Sequence, residues 1–253
     1  MKVLVTFALE NEFAPWRKLR GFSKIASDQW DHSYRTKIDD VDVRVFLTGA
    51  GRFAAQRAAE IAFDELPEVC IASGLAGGLR PEHSLGKVLA ARSVGDAGGA
   101  RLQYSDPDLL GNAVALGANR VERFLTSDRV VGTAAEKQDL GASADAVDLE
   151  GLWILAASAK RSIPAIAIRA ISDTADSTLP LDFDRIFNER GAVSIPKVIA
   201  QLVSRPAQLG GLMRLAHDSE RAASNLAAFL DSFVRSLAAP PQIENAKSAA
   251  LAV

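Results

Sequence analysis

The sequence predicts an α/β fold with a largely parallel central sheet and helices on its faces. Short apolar runs at residues 3–8, 69–72 and 163–171 have the character of buried strands. Segments with helical character separate these runs, and such alternation is typical of a parallel sheet with crossover helices. The 253 residues, 48% of them apolar, suffice for a large core, and no change of composition marks a domain boundary.

The remaining elements follow from similar patterns. Aromatic and polar residues alternate within residues 22–42 and predict an antiparallel hairpin, whereas residues 96–111 are rich in glycine and aspartate and predict a loop. The further predicted strands are residues 43–47, 87–94, 121–126 and 144–148. The predicted helices are residues 10–19, 52–64, 108–116 and 191–203, a helical turn at 136–141 and the segment that follows Glu150.

The charge pattern argues against nucleic acid as a partner. The formal net charge is −2, and basic and acidic residues are scattered along the chain. The sequence therefore lacks the cluster of basic residues that is expected of a protein that binds a polyanion. The opening run, M-K-V-L-V-T-F-A-L-E-N-E, is too short for a signal peptide or a membrane span. We therefore expect it to form the first strand of a cytoplasmic protein.

Cysteine and histidine positions disfavour metal, disulfide and acyl-enzyme chemistry. Cys70, the single cysteine, lies in the apolar run V-C-I-A, which predicts a buried, inert thiol in a reducing compartment. His32, His83 and His217 are far apart and lack metal-ligand spacing. Neither a Walker loop nor a G-x-S-x-G elbow occurs. We expect no metal and no cofactor.

Two glycine-rich turns are candidate ligand contacts. Gly49-Ala50-Gly51 precedes a predicted helix, where it either binds an anion or simply lets the chain fold back. Residues 74–78 contain three glycines and follow a strand, so their backbone can approach a ligand closely. The next segment predicts a strand and not a helix, which excludes a Rossmann fingerprint.

Acidic residues stand at the carboxyl ends of two predicted strands. Asp148 and Glu150 follow one apolar run and Asp173 follows another, and ligands of open α/β sheets bind outside such ends. A carboxylate at Glu150 suits a vicinal diol, because it accepts two hydroxyl hydrogens at once. Asp173, set against an aliphatic strand, is expected to keep a proton for a leaving group. The alternative interpretation is a helix cap and a turn residue.

The chain resembles a known family in five stretches that occur in the same order. They are A-L-E-N-E at residues 8–12, T-G-A-G-R at 48–52, S-G-L-A-G-G-L at 73–79, V-D-L-E-G at 147–151 and R-A-I-S-D-T-A-D at 169–176. The family is the nucleoside phosphorylase and nucleosidase superfamily, especially the methylthioadenosine/S-adenosylhomocysteine nucleosidases. The resemblance implies a phosphorylase/hydrolase-like three-layer fold, with flanking helices and a mixed, mostly parallel central sheet curled into a partial barrel.

The resemblance also assigns roles in hydrolysis of a purine nucleoside that releases adenine. It makes Asp173 the general acid at purine N7, Glu150 the group that holds the ribose hydroxyls, and Glu12 the group that activates water with help from Arg169. Cleavage of an N-glycosidic bond passes through an oxocarbenium-like sugar, so all three tasks accelerate it. The implied substrate contacts are Gly74, Leu75, Ala76, Val130, Val131, Leu149 and Ser172.

The sequence departs from the family at two contacts. Leu75 replaces a common serine, and Val130 stands where an aromatic residue stacks on the base, although the backbone of Val131 still suits the base edge. Water is favoured over phosphate as the nucleophile for two reasons. Related phosphorylases carry an arginine near the place where this sequence has Gly86, and the carboxylate of Glu12 repels phosphate. Arg52 and Arg80 are the residues able to reverse this preference. A phosphorylase and a non-catalytic nucleoside-binding protein are the alternatives.

The C-terminal segment extends beyond the resembled part, residues 2–204. We predict an α/β domain at residues 1–204, a helical extension at 205–237 packed on it, and a flexible tail at 238–253. The extension carries an apolar stripe of Leu226, Phe229, Leu230, Phe233 and Leu237. Such a stripe packs on the parent domain or a second subunit, or else contacts a lipid substrate or a membrane surface.

The stripe and the two departures resemble the hopanoid-associated branch of the family. That branch implies adenosylhopane, a nucleoside with a lipid 5′ group, as the substrate. The family also implies a homodimer.

Overall fold

A computed structural model of the chain describes residues 1–26, 30–182, 186, 194–204 and 206–238. The predicted tail lies outside these residues, except for its first residue, Ala238. The described strands are β1 (Lys2–Phe7), β2 (Ser23–Lys24), β3 (Ser33–Ile38), β4 (Val41–Leu47), β5 (Val69–Ala72), β6 (Leu75–Gly78), β7 (Val88–Asp96), β8 (Leu102–Tyr104), β9 (Asn119–Thr126), β10 (Ala146–Asp148) and β11 (Ala165–Asp173). The described helices are α1 (Glu10–Arg20), α2 (Arg52–Ala62), α3 (Pro107–Ala115), α4 (Ala134–Gly141), α5 (Gly151–Ala159), α6 (Ile195–Ser204) and α7 (Leu209–Ala238).

The strands form one mixed sheet that closes on itself at one end. The order is β2-β3-β4-β1-β5-β11-β6-β10-β9-β7-β8, and β7 also pairs with β11. Strands β4, β1, β5, β11 and β6 run parallel, while β10 and β7 pair antiparallel with β6 and β11. The extra pairing closes a ring of five strands, β11-β6-β10-β9-β7. The predicted mixed sheet with a partial barrel is therefore confirmed.

Helices cover both faces of the sheet, because successive strand residues point to opposite sides. In β1, Val3, Val5 and Phe7 belong to a cluster packed with α1, α3 and α7, whereas Leu4 belongs to a second cluster with α2 and α5. On α2 the buried residues are alanines, which allow the helix to lie close to the sheet. The result is the predicted arrangement of three layers.

The predicted loop at residues 96–111 is wrong in part. It contains the short strand β8, which pairs with β7 at the end of the sheet, and the start of α3. Asp106 caps α3 by accepting hydrogen bonds from the amides of Asp108 and Leu109, and Pro107 occupies the first turn. The loop was predicted from glycine and aspartate content, and the capping role of Asp106 was therefore not recognised.

The apolar stripe of α7 packs on its own chain. Leu226, Leu230 and Phe233 are fully buried in the cluster that includes α1. The stripe is anchored by Asp231, which accepts hydrogen bonds from Arg20 and from Nε1 of Trp16 on α1. None of the helices that the structure describes has the length and apolar character to cross a membrane.

Candidate active site

Three predicted acidic residues come together around strand β6. Glu12 lies in the first turn of α1, directly after β1, Glu150 follows β10, and Asp173 ends β11. Glu12 contacts the first residues of β6 and Asp173 contacts Gly77 near its end. Since Gly74 and Gly77 are three residues apart at about 3.3 Å per residue, these two carboxyl groups meet the strand about 10 Å from each other.

Backbone amides hold Glu12. Its Oε2 accepts hydrogen bonds from the amides of Ala8 at 2.8 Å and Leu9 at 3.0 Å, and its Oε1 accepts one from Leu75 at 3.0 Å. Gly74 makes the close approach possible, because a Cβ there would lie 3.2 Å from Oε1 and its φ is +143°. Burial raises the pKa of Glu12, and the three amides and Arg169 oppose that rise.

Glu150 lies between the end of β10 and the start of α2. Its Oε1 accepts a hydrogen bond of 2.6 Å from the amide of Gly51, at the start of α2. Burial, together with repulsion from the carboxylates of Asp148 and Glu12, raises the pKa of Glu150 to about 8. The alternative interpretation as a helix cap is wrong for this side chain, since it makes no capping bond to α5.

Arg169 forms a buried ion pair with Asp148 beneath the site. Its Nη2 lies 2.6 Å from Asp148 Oδ2, and its Nη1 donates to the carbonyl of Ala72 at 2.7 Å. The ion-pair partner of Arg169 is therefore Asp148 and not Glu12. Asp148 is held in turn by Thr126 Oγ1 at 2.6 Å and the amide of Gly151. The Nε of Arg169 is buried and has no hydrogen-bond partner among the described residues.

The sequence predicted that Asp173 is set against an aliphatic strand. The structure shows that polar and charged groups also contact it. Its Oδ2 contacts the ammonium of Lys137, a residue of α4 with no solvent exposure. Its Oδ1 lies 2.7 Å from Ser172 Oγ, which is also 3.3 Å from the carbonyl of Ala76. The strand that carries Asp173 is apolar, and helix α4 supplies a cation that contacts its carboxyl group.

The other predicted substrate contacts differ in their exposure to solvent. Gly74 and Ala76 are buried within the turn and strand, and Leu75 and Leu149 are partly exposed. Val130 is partly exposed in the segment between β9 and α4. The side chain of Val131 is buried in a small cluster with Leu79, Leu125, Ala144 and Val147. The side chain of Val131 is therefore not available to a ligand.

Sequence reasoning missed Lys137, and it named Asp148 at the end of a strand without identifying it as the partner of Arg169. Asp148 was recognisable, because it ends a buried strand and Arg169 in another strand needs a carboxylate. Lys137 gave no signal, since α4 has no apolar periodicity that would turn one of its polar residues inward. A lysine in the sequence A-A-E-K-Q-D-L-G is ordinarily a solvated one.

A separate groove of about 760 Å³ lies at the other end of the sheet. Lys2, Lys24, Arg35, Lys37 and Asp42 are among its lining residues, and it opens at the amino end of β1. Its charges are mixed and none of the acidic trio lines it. Ligands of α/β sheets bind at the carboxyl ends of strands, so the region of the three acidic residues around β6 is the better candidate.

The burial of Cys70 agrees with the sequence prediction. The residue has no solvent exposure, and burial raises the pKa of its thiol to about 12. A thiol of this kind is not a nucleophile at neutral pH.

Comparison with known proteins gives one family and one fold. The family model of the phosphorylase superfamily matches residues 29–204. Among solved structures, a 5′-methylthioadenosine/S-adenosylhomocysteine nucleosidase from Campylobacter jejuni is similar, with 18% identity, a TM-score of 0.70, and coverage of 93% of this chain and 99% of that one.

Two further structures are similar to a comparable degree. Futalosine hydrolase from Helicobacter pylori has 18% identity and a TM-score of 0.73, over 93% of this chain and 98% of that one. The nucleosidase from Neisseria meningitidis, in complex with methylthio-immucillin-A, has 20% identity and a TM-score of 0.70, over 93% and 99%. At these identities the likeness establishes the fold alone.

Proposed function

The chain belongs to the phosphorylase superfamily, and on that premise we propose that it is a purine nucleosidase. It hydrolyses the N-glycosidic bond of a 5′-modified adenosine and releases adenine. The observation that carries the proposal is the position of Glu12 and Asp173 at the two ends of β6, with Glu150 bonded to the start of α2 and near enough to Glu12 for the two carboxyl groups to repel each other. One acidic group is thus available for each partner of the reaction: nucleophile, sugar and base.

The chemistry follows from these three positions. As the bond to the base breaks, positive charge develops on the sugar, and Asp173 in its protonated form gives its proton to N7 of the leaving purine. The carboxylate that remains on Asp173 is then paired with the ammonium of Lys137. Glu150 holds the sugar by accepting hydrogen bonds from the ribose hydroxyls. Glu12 removes a proton from water as the water attacks the anomeric carbon. Its raised pKa suits a general base that works near neutral pH.

Arg169 supports the nucleophilic water in this proposal. Its charge acts on Glu12, and its buried Nε–H is a donor without a partner among the described residues. A water between this N–H and the Glu12 carboxylate would be oriented by both. The guanidinium keeps its pair with Asp148 throughout, so no uncompensated charge is buried.

Several contacts favour water over phosphate. The amide of Gly51 at the start of α2, a candidate anion site, is already bonded to Glu150. The guanidinium of Arg52 stacks over the ring of Trp153 at 4.5 Å. Arg80 binds the carbonyl of Gly141 and the carboxylate of Asp145. Arg80 is thus engaged by groups of its own chain, and Arg52 lies against an aromatic ring.

The names of the similar solved structures agree with hydrolysis. They are nucleosidases acting on 5′-methylthioadenosine and S-adenosylhomocysteine, and a futalosine hydrolase. We extend only the reaction type to this chain. Its homodimeric state and cytoplasmic location are part of the proposal, by analogy with the nucleosidases.

For the 5′ group we propose an apolar substituent, with adenosylhopane as the candidate. Leu75 and Val130, both partly exposed, replace a polar and an aromatic contact of the family. The α7 stripe gives no support, because its central residues are buried within the chain. The candidate therefore rests on the two substitutions.

Release of adenine in phosphate-free buffer tests the proposal. Adenosine, 5′-methylthioadenosine and adenosylhopane are supplied separately, with and without added phosphate, and free base and sugar products are quantified. Free ribose derivative formed without phosphate is the expected result. Release that depends on phosphate would identify a phosphorylase. Binding of a nucleoside without release of the base would identify a non-catalytic nucleoside-binding protein. Faster turnover of methylthioadenosine than of adenosylhopane would remove the lipid candidate.

A further inference from the structure

A buried lysine outside the acidic trio contacts the proposed acid. Lys137, in the middle of α4, has no solvent exposure, and its ammonium reaches Asp173 Oδ2. It also donates to the carbonyls of Thr174 at 3.1 Å and Ser177 at 3.0 Å, and lies 3.1 Å from Ser177 Oγ. Such a charge is costly to bury. The contacts concentrate on one carboxyl group and the turn that follows it.

These contacts fix Asp173 from two sides. Lys137 takes Oδ2, Ser172 Oγ lies 2.7 Å from Oδ1, and Gly77 leaves room for the carboxyl group, since a Cβ there would lie 3.1 Å from Oδ2. The turn after Asp173 is closed by the Ser177 amide on the Thr174 carbonyl at 3.1 Å. Lys137 therefore binds the proposed acid and its turn as one unit.

The same helix is tied to the segment proposed to meet the base. Thr133 caps α4, and the carbonyl of Gly132 accepts a hydrogen bond of 2.8 Å from the amide of Leu179. Thr178 Oγ1 accepts another from the amide of Ala134. The stretch before α4 and the turn after Asp173 are thus joined by two hydrogen bonds beside the contacts of Lys137.

We propose that Lys137 is a positioning residue for departure of the base. It holds the Asp173 carboxyl group at β6 in the orientation that N7 requires, and acts on the reaction only through Asp173. This inference rests on the proposed function. A proton donor must be held within a few tenths of an ångström of its acceptor, so loss of its support slows the step that needs protonation.

The opposing view is a core ion pair with no part in the reaction. Replacing a buried charge by an apolar side chain of similar length then changes stability and lowers all activities together. The two views differ in their dependence on the leaving group. A purine needs a proton in order to leave, whereas p-nitrophenolate leaves as an anion.

The experiment compares two substrates across four variants. The substrates are p-nitrophenyl β-D-ribofuranoside and whichever of the three adenosine compounds above is turned over fastest. The variants are K137M, K137R, D173N as the reference, and K87M as the matched control. Lys87 donates to the carbonyl of Glu82, away from the acidic trio. Both kcat and KM are measured, and Tm is recorded for each variant.

We expect D173N to slow release of adenine at least about 100-fold, with little change for the nitrophenyl riboside. K137M should show the same selectivity, with a loss of about 10- to 100-fold in kcat and little change in KM. K137R, which keeps the charge, should recover part of that loss, and K87M should match wild type. An equal loss on both substrates in K137M, or no loss, would overturn the inference.

Failure of the inference is separable from failure of the proposed function. If D173N itself lacks leaving-group selectivity, the role proposed for Asp173 is wrong, whatever K137M does. A wild-type protein that releases adenine from none of the three compounds contradicts both proposals. If D173N is selective and K137M is not, only the role of Lys137 is withdrawn.

Discussion

The two ends of strand β6 hold their carboxyl groups in different ways. At the first end, three backbone amides bind Glu12, and a buried Arg169–Asp148 pair lies beneath. At the second end, side chains from α4 and β11 bind Asp173. Amides are fixed by the fold, whereas Lys137 and Ser172 are replaceable side chains. The first end is therefore built for rigidity, and the second depends on individual residues.

The largest expected effect comes from breaking the ion pair beneath the Glu12 end. R169M leaves the Asp148 carboxylate buried without its cation, and such a change costs about 3–5 kcal/mol of unfolding free energy. We expect a large fall in the denaturation midpoint, together with loss of base release from any substrate. Urea unfolding followed by circular dichroism measures the first quantity.

The double variant R169M/D148N is the control for this prediction. Removing both charges restores part of the stability, because the uncompensated carboxylate is gone. Activity should stay low, since the guanidinium that acts on Glu12 is absent. A double variant less stable than R169M would contradict the account of the pair.

Two glycine substitutions, one at each end of β6, test the comparison between the ends and are expected to have intermediate effects on stability and activity. G74A places a methyl group at φ +143° and 3.2 Å from Glu12, so it should cost about 1–3 kcal/mol and slow every substrate. G77A has no such backbone strain, and its methyl group would meet Asp173 and Val147. G77A should therefore be the more stable variant and slow release of purines more than that of nitrophenolate. Equal effects of the two on both substrates would remove the distinction between the ends.

The last prediction is a pH dependence of stability from Glu150. Its pKa rises from the ordinary 4.5 to about 8 in the folded protein, so the folded state binds this proton more tightly than the unfolded chain. The stability that results is complete below about pH 4.5 and is lost as pH rises through 8. Between pH 5 and 8.5, Tm of the wild type should fall relative to that of E150Q, on the order of 10 °C. A constant difference across this range would contradict the raised pKa.

The sequence predicted the strands well where burial and β-branching coincide. Val69–Ala72 was predicted with its observed bounds, and Lys2–Phe7 within a residue. It missed Leu102–Tyr104, because a three-residue edge strand has too few side chains for a period to appear. The pairing of β7 with β11, which closes the ring, leaves no trace in local periodicity and was implied by family resemblance alone.

The acidic residues illustrate the same division. Glu12, Glu150 and Asp173 were predicted as site residues because each follows a strand and lies in a family motif. Their surroundings were predicted poorly: Arg169 pairs with Asp148 and Asp173 pairs with Lys137. Both pairs join residues more than 20 positions apart, and a partner at that separation is chosen by packing.

The sequence by itself determined which elements form and where the acidic groups stand along the chain. Alternation of apolar residues and the order of strand and helix are local properties, and local interactions are enough to specify them. Only the tertiary structure decided that amides hold Glu12 while a buried ammonium holds Asp173. The electrostatic surroundings of a charge depend on groups within a few ångströms in space, and the closed sheet brings those groups from distant parts of the chain.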